Sequence, residues 1–188
     1  MSNLNESFFS ICIERFQFLI KRFECRRGAK RATGGVYTLT YQNSTTAVQV
    51  GLEWREQYVY VELCRLVDGR IKDNPVVIGP ESQLTVFNLE DVLEIRNPEL
   101  KLSAEHVARR LTVDALRKTL SHYARALEEC ASDILRGDFT LFDKLEHIVK
   151  TRAKEAAKTE RDRQPYAVAT EIAGERQRPA EVREPVGK

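Results

Sequence analysis

The stretch from Leu135 to Phe142, Leu-Arg-Gly-Asp-Phe-Thr-Leu-Phe, stops one helix and starts another, and so sets the layout of the C-terminal half. Upstream of it, Leu116, Leu120, Tyr123, Leu127, Cys130 and Ile134 keep helical spacing for about six turns. That helix would start at Thr112 or Asp114, after a turn begun at Ser103. Gly137 ends it, because glycine enters the left-handed conformation at little cost. Thr140 is placed to cap the next helix, with Asp143 three residues on, and Leu141, Leu145, Ile148 and Val149 supply its apolar side. Phe139 and Phe142 are expected to clamp the corner. The helical region so read spans 103–163. Beyond Thr151 it has little to bury, and 164–188, charged and interrupted by prolines, reads as a disordered tail.

The N-terminal half follows other periods. Ser7 is placed to cap a helix from Phe8 to Phe23, on which Phe9, Cys12, Phe16, Leu19 and Phe23 recur at three- and four-residue spacing. Phe8, Ile11 and Phe18 widen this apolar face. A helix tucked deeply against a sheet is the preferred explanation, and contact with a partner chain is the other. Lys21, Arg22, Arg26, Arg27, Lys30 and Arg31 read as a basic loop closing 1–35 at Gly34-Gly35.

Residues 36–73 read as a β-meander. Val36–Tyr41, Thr46–Trp54 and Tyr58–Leu66 alternate apolar and polar side chains, joined by the short connections Asn43-Ser44 and Arg55-Glu56-Gln57. Asp68-Gly69 signals a further hairpin into a short fourth strand. Val48, Val50, Leu52, Val59, Val61 and Leu63 form the strand face that needs cover, and the first helix and the 114–135 helix have the stripes to supply it. Leu84–Phe87 is a brief extended piece, and Asn88 would cap a short helix over 88–96 that stops before Asn97-Pro98. The expected fold is therefore α+β. An antiparallel meander of three to four strands is packed by an N-terminal helix and a C-terminal helical pair, as a single domain over 1–163.

Charge is unevenly spread. Residues 1–35 hold seven basic and three acidic side chains, and 36–100 hold five and ten. The strand block is thus acidic and the helices around it mildly basic, an asymmetry able to steer a charged partner. No run approaches the ~20 apolar residues of a membrane span, and no signal peptide is legible. Cys12, Cys25, Cys64 and Cys130 are scattered with no Cys-x-x-Cys pair, and read as reduced thiols in a reducing cytoplasm.

No catalytic, metal or cofactor constellation emerges. Arg136-Gly137-Asp138 matches an adhesion tripeptide, but its glycine is committed to ending a helix. Gly28 to Gly35 lacks the preceding strand, the Gly-Lys-Ser/Thr and the following helix of a phosphate loop. His106, His122 and His147 lack ligand spacing. The acidic pairs Glu128-Glu129 and Glu90-Asp91 fit solvated helix faces.

The run from Tyr123 to Ala153, with Leu-Arg-Gly-Asp-Phe-x-x-Phe at its centre, resembles the C-terminal signature of a widespread set of small bacterial proteins. Arg136, Gly137, Asp138, Phe139 and Phe142 carry that resemblance. It implies a bacterial source and an α+β fold, and brings no activity with it. The leading functional expectation is a non-enzymatic protein-binding module of immunity or accessory type. Tyr37, Tyr41, Tyr58, Tyr60 and Glu62 on the open sheet face are its candidate contacts with a basic partner. The alternatives are a nucleic-acid accessory protein working through Lys21, Arg22, Arg26, Arg27, Lys30 and Arg31, and a small enzyme or ligand-binding protein whose pocket residues are dispersed.

Overall fold

The computed structural model describes residues 2–100 and 111–175, with side chains over 4–100 and 111–160. The expected turn at Ser103, His106 and the last part of the expected tail lie outside them. The fold is α+β around one antiparallel sheet, in the order α1 (Ser2–Arg15), α2 (Gln17–Phe23), β1 (Arg26–Arg27), β2 (Arg31–Thr33), β3 (Val36–Gln42), β4 (Thr46–Glu53), β5 (Tyr58–Arg65), β6 (Val86–Asn88), α3 (Leu89–Arg96), α4 (Val113–Cys130), α5 (Ser132–Leu135) and α6 (Phe142–Glu175).

The sheet has six strands, more than the meander read from sequence. Its order is β1-β3-β4-β5-β6, with β2 also paired to β3. The extra strands come largely from the segment expected to be a basic loop. Arg27 pairs with Tyr41 and Arg31 with Thr38, so residues 28–30 oppose only 39 and 40. β1 and β2 are thus one edge strand split by a bulge. Gly34 (φ +62°) and Gly35 (φ +89°) turn it into β3 as a two-residue hairpin, a conformation that needs left-handed residues at both positions. At the far edge the expected fourth strand is a single bridge, Val67 to Arg70 across Asp68-Gly69. The chain instead returns through β6, which pairs with β5.

Tyr37, Leu39 and Tyr41 pair with Leu52, Val50 and Val48, and these in turn with Val59, Val61 and Leu63. All of these but Tyr37 are buried, and they form the core face that α1 and α4 cover. Phe8, Cys12, Phe16, Leu19, Leu116, Leu120 and Leu127 fill the space between. The wide apolar face of the first helix is therefore used within the chain. That helix starts at Ser2, earlier than a cap at Ser7 would give, and breaks at Phe16, whose amide donates to Cys12 O at 2.9 Å.

Thr112 caps α4, its Oγ1 accepting from Ala115 N at 3.2 Å. The expected continuous helix to Leu135 is interrupted at Ala131, and α5 carries the last turn to the corner. There Gly137 takes φ +92°. Thr140 lies in the turn ahead of α6, where its N–H donates to Asp138 Oδ1 at 3.0 Å, and not at the cap position expected of it. Phe142 packs edge-on against Phe139 at 4.9 Å and against Phe87 at 4.7 Å. The corner is locked to the β3–β4 hairpin, where Asn43 Nδ2 donates to Leu135 O at 2.9 Å and Thr46 Oγ1 to Ile134 O at 2.9 Å. α6 is held to α3 by the ion pairs of Arg152 with Asp91 and Glu94, and it runs to Glu175. Helix thus continues past Gln164, where the sequence reading begins the tail.

Candidate interaction surfaces

Two surface features of opposite charge stand out, one on the second face of the sheet and one at its β1 edge. The first follows from the pleat of β5, which puts Tyr58, Tyr60 and Glu62 on the side away from the core. Tyr58 and Tyr60 stack, with ring centroids 6.2 Å apart and planes 22° from parallel, and Tyr58 is 41% exposed. The stack depends on Gly51 opposite Tyr60: a Cβ there would come within 2.0 Å of the ring. Glycine in this strand marks a close approach. Gly51→Val is expected to expel the Tyr60 ring and dissolve the stack, seen as a change in near-ultraviolet circular dichroism. Helix content should stay unchanged, because the ring swings into solvent.

Of the five residues expected on this face, two are elsewhere. Tyr41 is fully buried in the core, its hydroxyl donating to Cys12 O at 3.1 Å, and Phe16 lies against it at 6.2 Å. Tyr37 is half-buried against Phe9 at 6.3 Å. The cause is the β3–β4 register, which puts these tyrosines beside Leu39 and the threonines of β3 on the other face.

Carboxylates that sequence reasoning did not group together surround Tyr58 and Glu62. Burial, then Asp73 and Glu90, push the Glu62 carboxyl above its ordinary value of 4.5. Burial also raises Glu90, whose carboxyl meets the Tyr123 hydroxyl while that hydroxyl lies 3.0 Å from Val59 O. Asp91, expected on a solvated face, is 7% exposed and paired with Arg152. The loop between β5 and β6 brings Asp73 to a hollow that Glu62 also lines, a proximity no local sequence pattern signals. Among the described residues no cation lies within ion-pair distance of Glu62, Glu53 or Asp73. Next to Glu62 is a hollow of about 320 Å³ that Asp73, Asp91 and Asn88 also line.

The sign of the pH effect follows. A carboxyl whose folded pKa is raised binds its proton more tightly in the native state, so its contribution to stability falls as pH rises from 4.5 through the raised value. Glu62→Gln is expected to raise the melting temperature at pH 7 and to leave it unchanged below the ordinary carboxylate range, as thermal unfolding across pH would reveal.

The second feature is a cleft of about 780 Å³ between α2, the edge strand, the β3–β4 turn and the helical corner, lined by Arg22, Arg26, Arg27 and Arg136. The six expected cations are all exposed but do not form one patch. Arg22, Arg26 and Arg27 line the cleft, whereas Lys30 sits over the Phe9 ring at 5.3 Å and Arg31 pairs with Thr38 beyond the bulge. Lys21 is not in the lining. Arg136 joins from more than a hundred residues away, which only the folded chain reveals.

Among the described residues no group of histidine, cysteine, aspartate or glutamate could hold a metal ion, and no helix is long and apolar enough to cross a membrane. The four cysteines are free thiols, with Cys25 pushed up to about 11 and Cys64 to about 12 chiefly by burial. His122 and His147 are exposed. No known protein family, curated protein or solved structure matches the chain, so a functional reading rests on these two surfaces.

Proposed function

We infer that the protein is a non-enzymatic binding module that engages a basic protein partner through the β5 side of its sheet. The observation that supports this reading is the stacked Tyr58–Tyr60 pair beside Glu62, Glu53 and Asp73, carboxylates with no cation of their own among the described residues. Tyrosine offers broad contact area at low entropic cost and is enriched at the energetic centres of interfaces. Glu62, whose carboxyl is raised by burial and then by Asp73 and Glu90, gains from an incoming ammonium or guanidinium group, which offsets the like charge around it.

The test is affinity capture from host extract with the full chain, followed by affinity measurement on the purified partner. A basic partner whose affinity falls at least about tenfold for Tyr58→Ala/Tyr60→Ala, at unchanged melting temperature, supports the reading. A partner bound equally well by that variant sinks it, as does one that is acidic.

A further inference from the structure

The arginine cleft lies on the opposite edge of the sheet from this tyrosine face and needs its own explanation. Among the described residues four arginines line it, with Glu24 the one acidic residue of the lining. Two of them are fixed by the same ring: Arg136 lies 5.3 Å and Arg22 5.9 Å from the centroid of Phe23, which is only 4% exposed. Cation–π contact with a buried ring holds them close to one another despite their like charge. Arg22 is further tethered by Glu128, and Arg136 donates to Ser132 O at 3.3 Å. Arg26 and Arg27 come from β1, where the paired backbone fixes their stems while their side chains remain exposed.

All four cations are arginine. Its planar fork suits phosphate oxygens, and its weak hydration makes desolvation in a cleft inexpensive. A volume of about 780 Å³ falls in the range that encloses a ligand of nucleotide dimensions. Between α2, the edge strand and the helical corner it has room for a single backbone strand to enter, and a duplex could meet it only from outside. Lys30 and Arg31 lie further along the same edge strand and Lys21 on α2, outside the lining. A small phosphorylated molecule would leave those cations idle, and a strand of linked phosphates would not. Among the described residues the one aromatic ring in the lining, Phe23, is buried beneath its arginines, which leaves bases no exposed ring there to stack on.

We propose that this cleft binds the phosphate backbone of single-stranded nucleic acid, without sequence preference, as a second site separate from the tyrosine face. The backbone enters between the edge strand and the helical corner, with the four guanidinium groups taking successive phosphates and Glu24 weakening the site from within.

Fluorescence anisotropy of the full chain with a short labelled oligothymidylate tests this. Three or four phosphate contacts give a plot of log affinity against log salt with a slope of about −2 to −3. Arg26→Gln/Arg27→Gln, at exposed positions where the melting temperature should hold, is expected to reduce the magnitude of the slope by about 1.4, and Arg136→Gln by about 0.7. Glu24→Gln should tighten binding. Tyr58→Ala/Tyr60→Ala should leave it unchanged, so this proposal and the partner reading fail independently. Absence of binding at low salt overturns the proposal. So does a slope unaltered in Arg26→Gln/Arg27→Gln, equal affinity for duplex DNA, or binding of inorganic pyrophosphate with no response to the oligonucleotide.

Discussion

Replacing Tyr41 with alanine is expected to destabilise the protein by about 3–5 kcal/mol, the range for truncating a large buried aromatic. The ring is completely enclosed, stacked on Phe16 on the core side of β3, and its hydroxyl donates to the carbonyl of Cys12 in α1. Truncation would open a cavity and remove a tie between helix and sheet. Tyr41→Phe separates the two contributions. It keeps the packing and loses only the hydrogen bond, at a cost of about 0.5–1.5 kcal/mol, because the Cys12 carbonyl keeps its bond from Phe16 N. Urea unfolding of the three proteins measures both steps. If Tyr41→Ala melted like the wild type, the β3 register described above would be wrong and this tyrosine would belong on the surface.

Gly137→Val is expected to cost about 2–5 kcal/mol, from two sources. At φ +92° a β-branched residue is strained by about 1–2 kcal/mol. In addition, any Cβ at this position meets Thr45 Oγ1 at 2.9 Å, and overpacking costs about 1–3 kcal/mol. At about 2–4 °C per kcal/mol for a chain of this size, the melting temperature should fall by about 4–20 °C. Thr45→Ala in the Gly137→Ala background divides the sum: it should restore the part due to crowding and leave the part due to backbone conformation. A Gly137→Val protein that melts like the wild type would refute both sources. The glycine of the Arg136-Gly137-Asp138 tripeptide is therefore needed for a turn and for contact with another hairpin.

Much of the fold was legible because its signals are local. The alternation that put Val48, Val50, Leu52, Val59, Val61 and Leu63 on one face is a property of consecutive residues, and all six are in the core. The helix start at Thr112 and the stop at Gly137 are likewise local chemistry. What escaped depended on partners distant in sequence. Arg26 to Thr33 is polar, cationic and glycine-bearing, so by composition it resembles a loop; only the free edge of β3 makes a strand of it. The alternation of Tyr37, Leu39 and Tyr41 with threonines was plain, yet which row faces the helices is decided by the pairing of Leu39 with Val50. Of the two surfaces, Tyr58, Tyr60 and Glu62 could be read together from one strand. The link of Glu62 to Asp73 and Glu90, and of Arg26 to Arg136, exists only in three dimensions.

The split edge strand also bears on how copies of this chain behave toward one another. A sheet that ended in a straight run of free amides and carbonyls would invite a neighbour to extend it, and the process could repeat without limit. Here the three residues that oppose two throw the ladder out of step halfway along, and Arg26, Arg27, Lys30 and Arg31 would bring like charge against like charge in any second copy. Arg26 and Arg27, which also line the cleft, thus set charge against any extension of the sheet through its own hydrogen bonds.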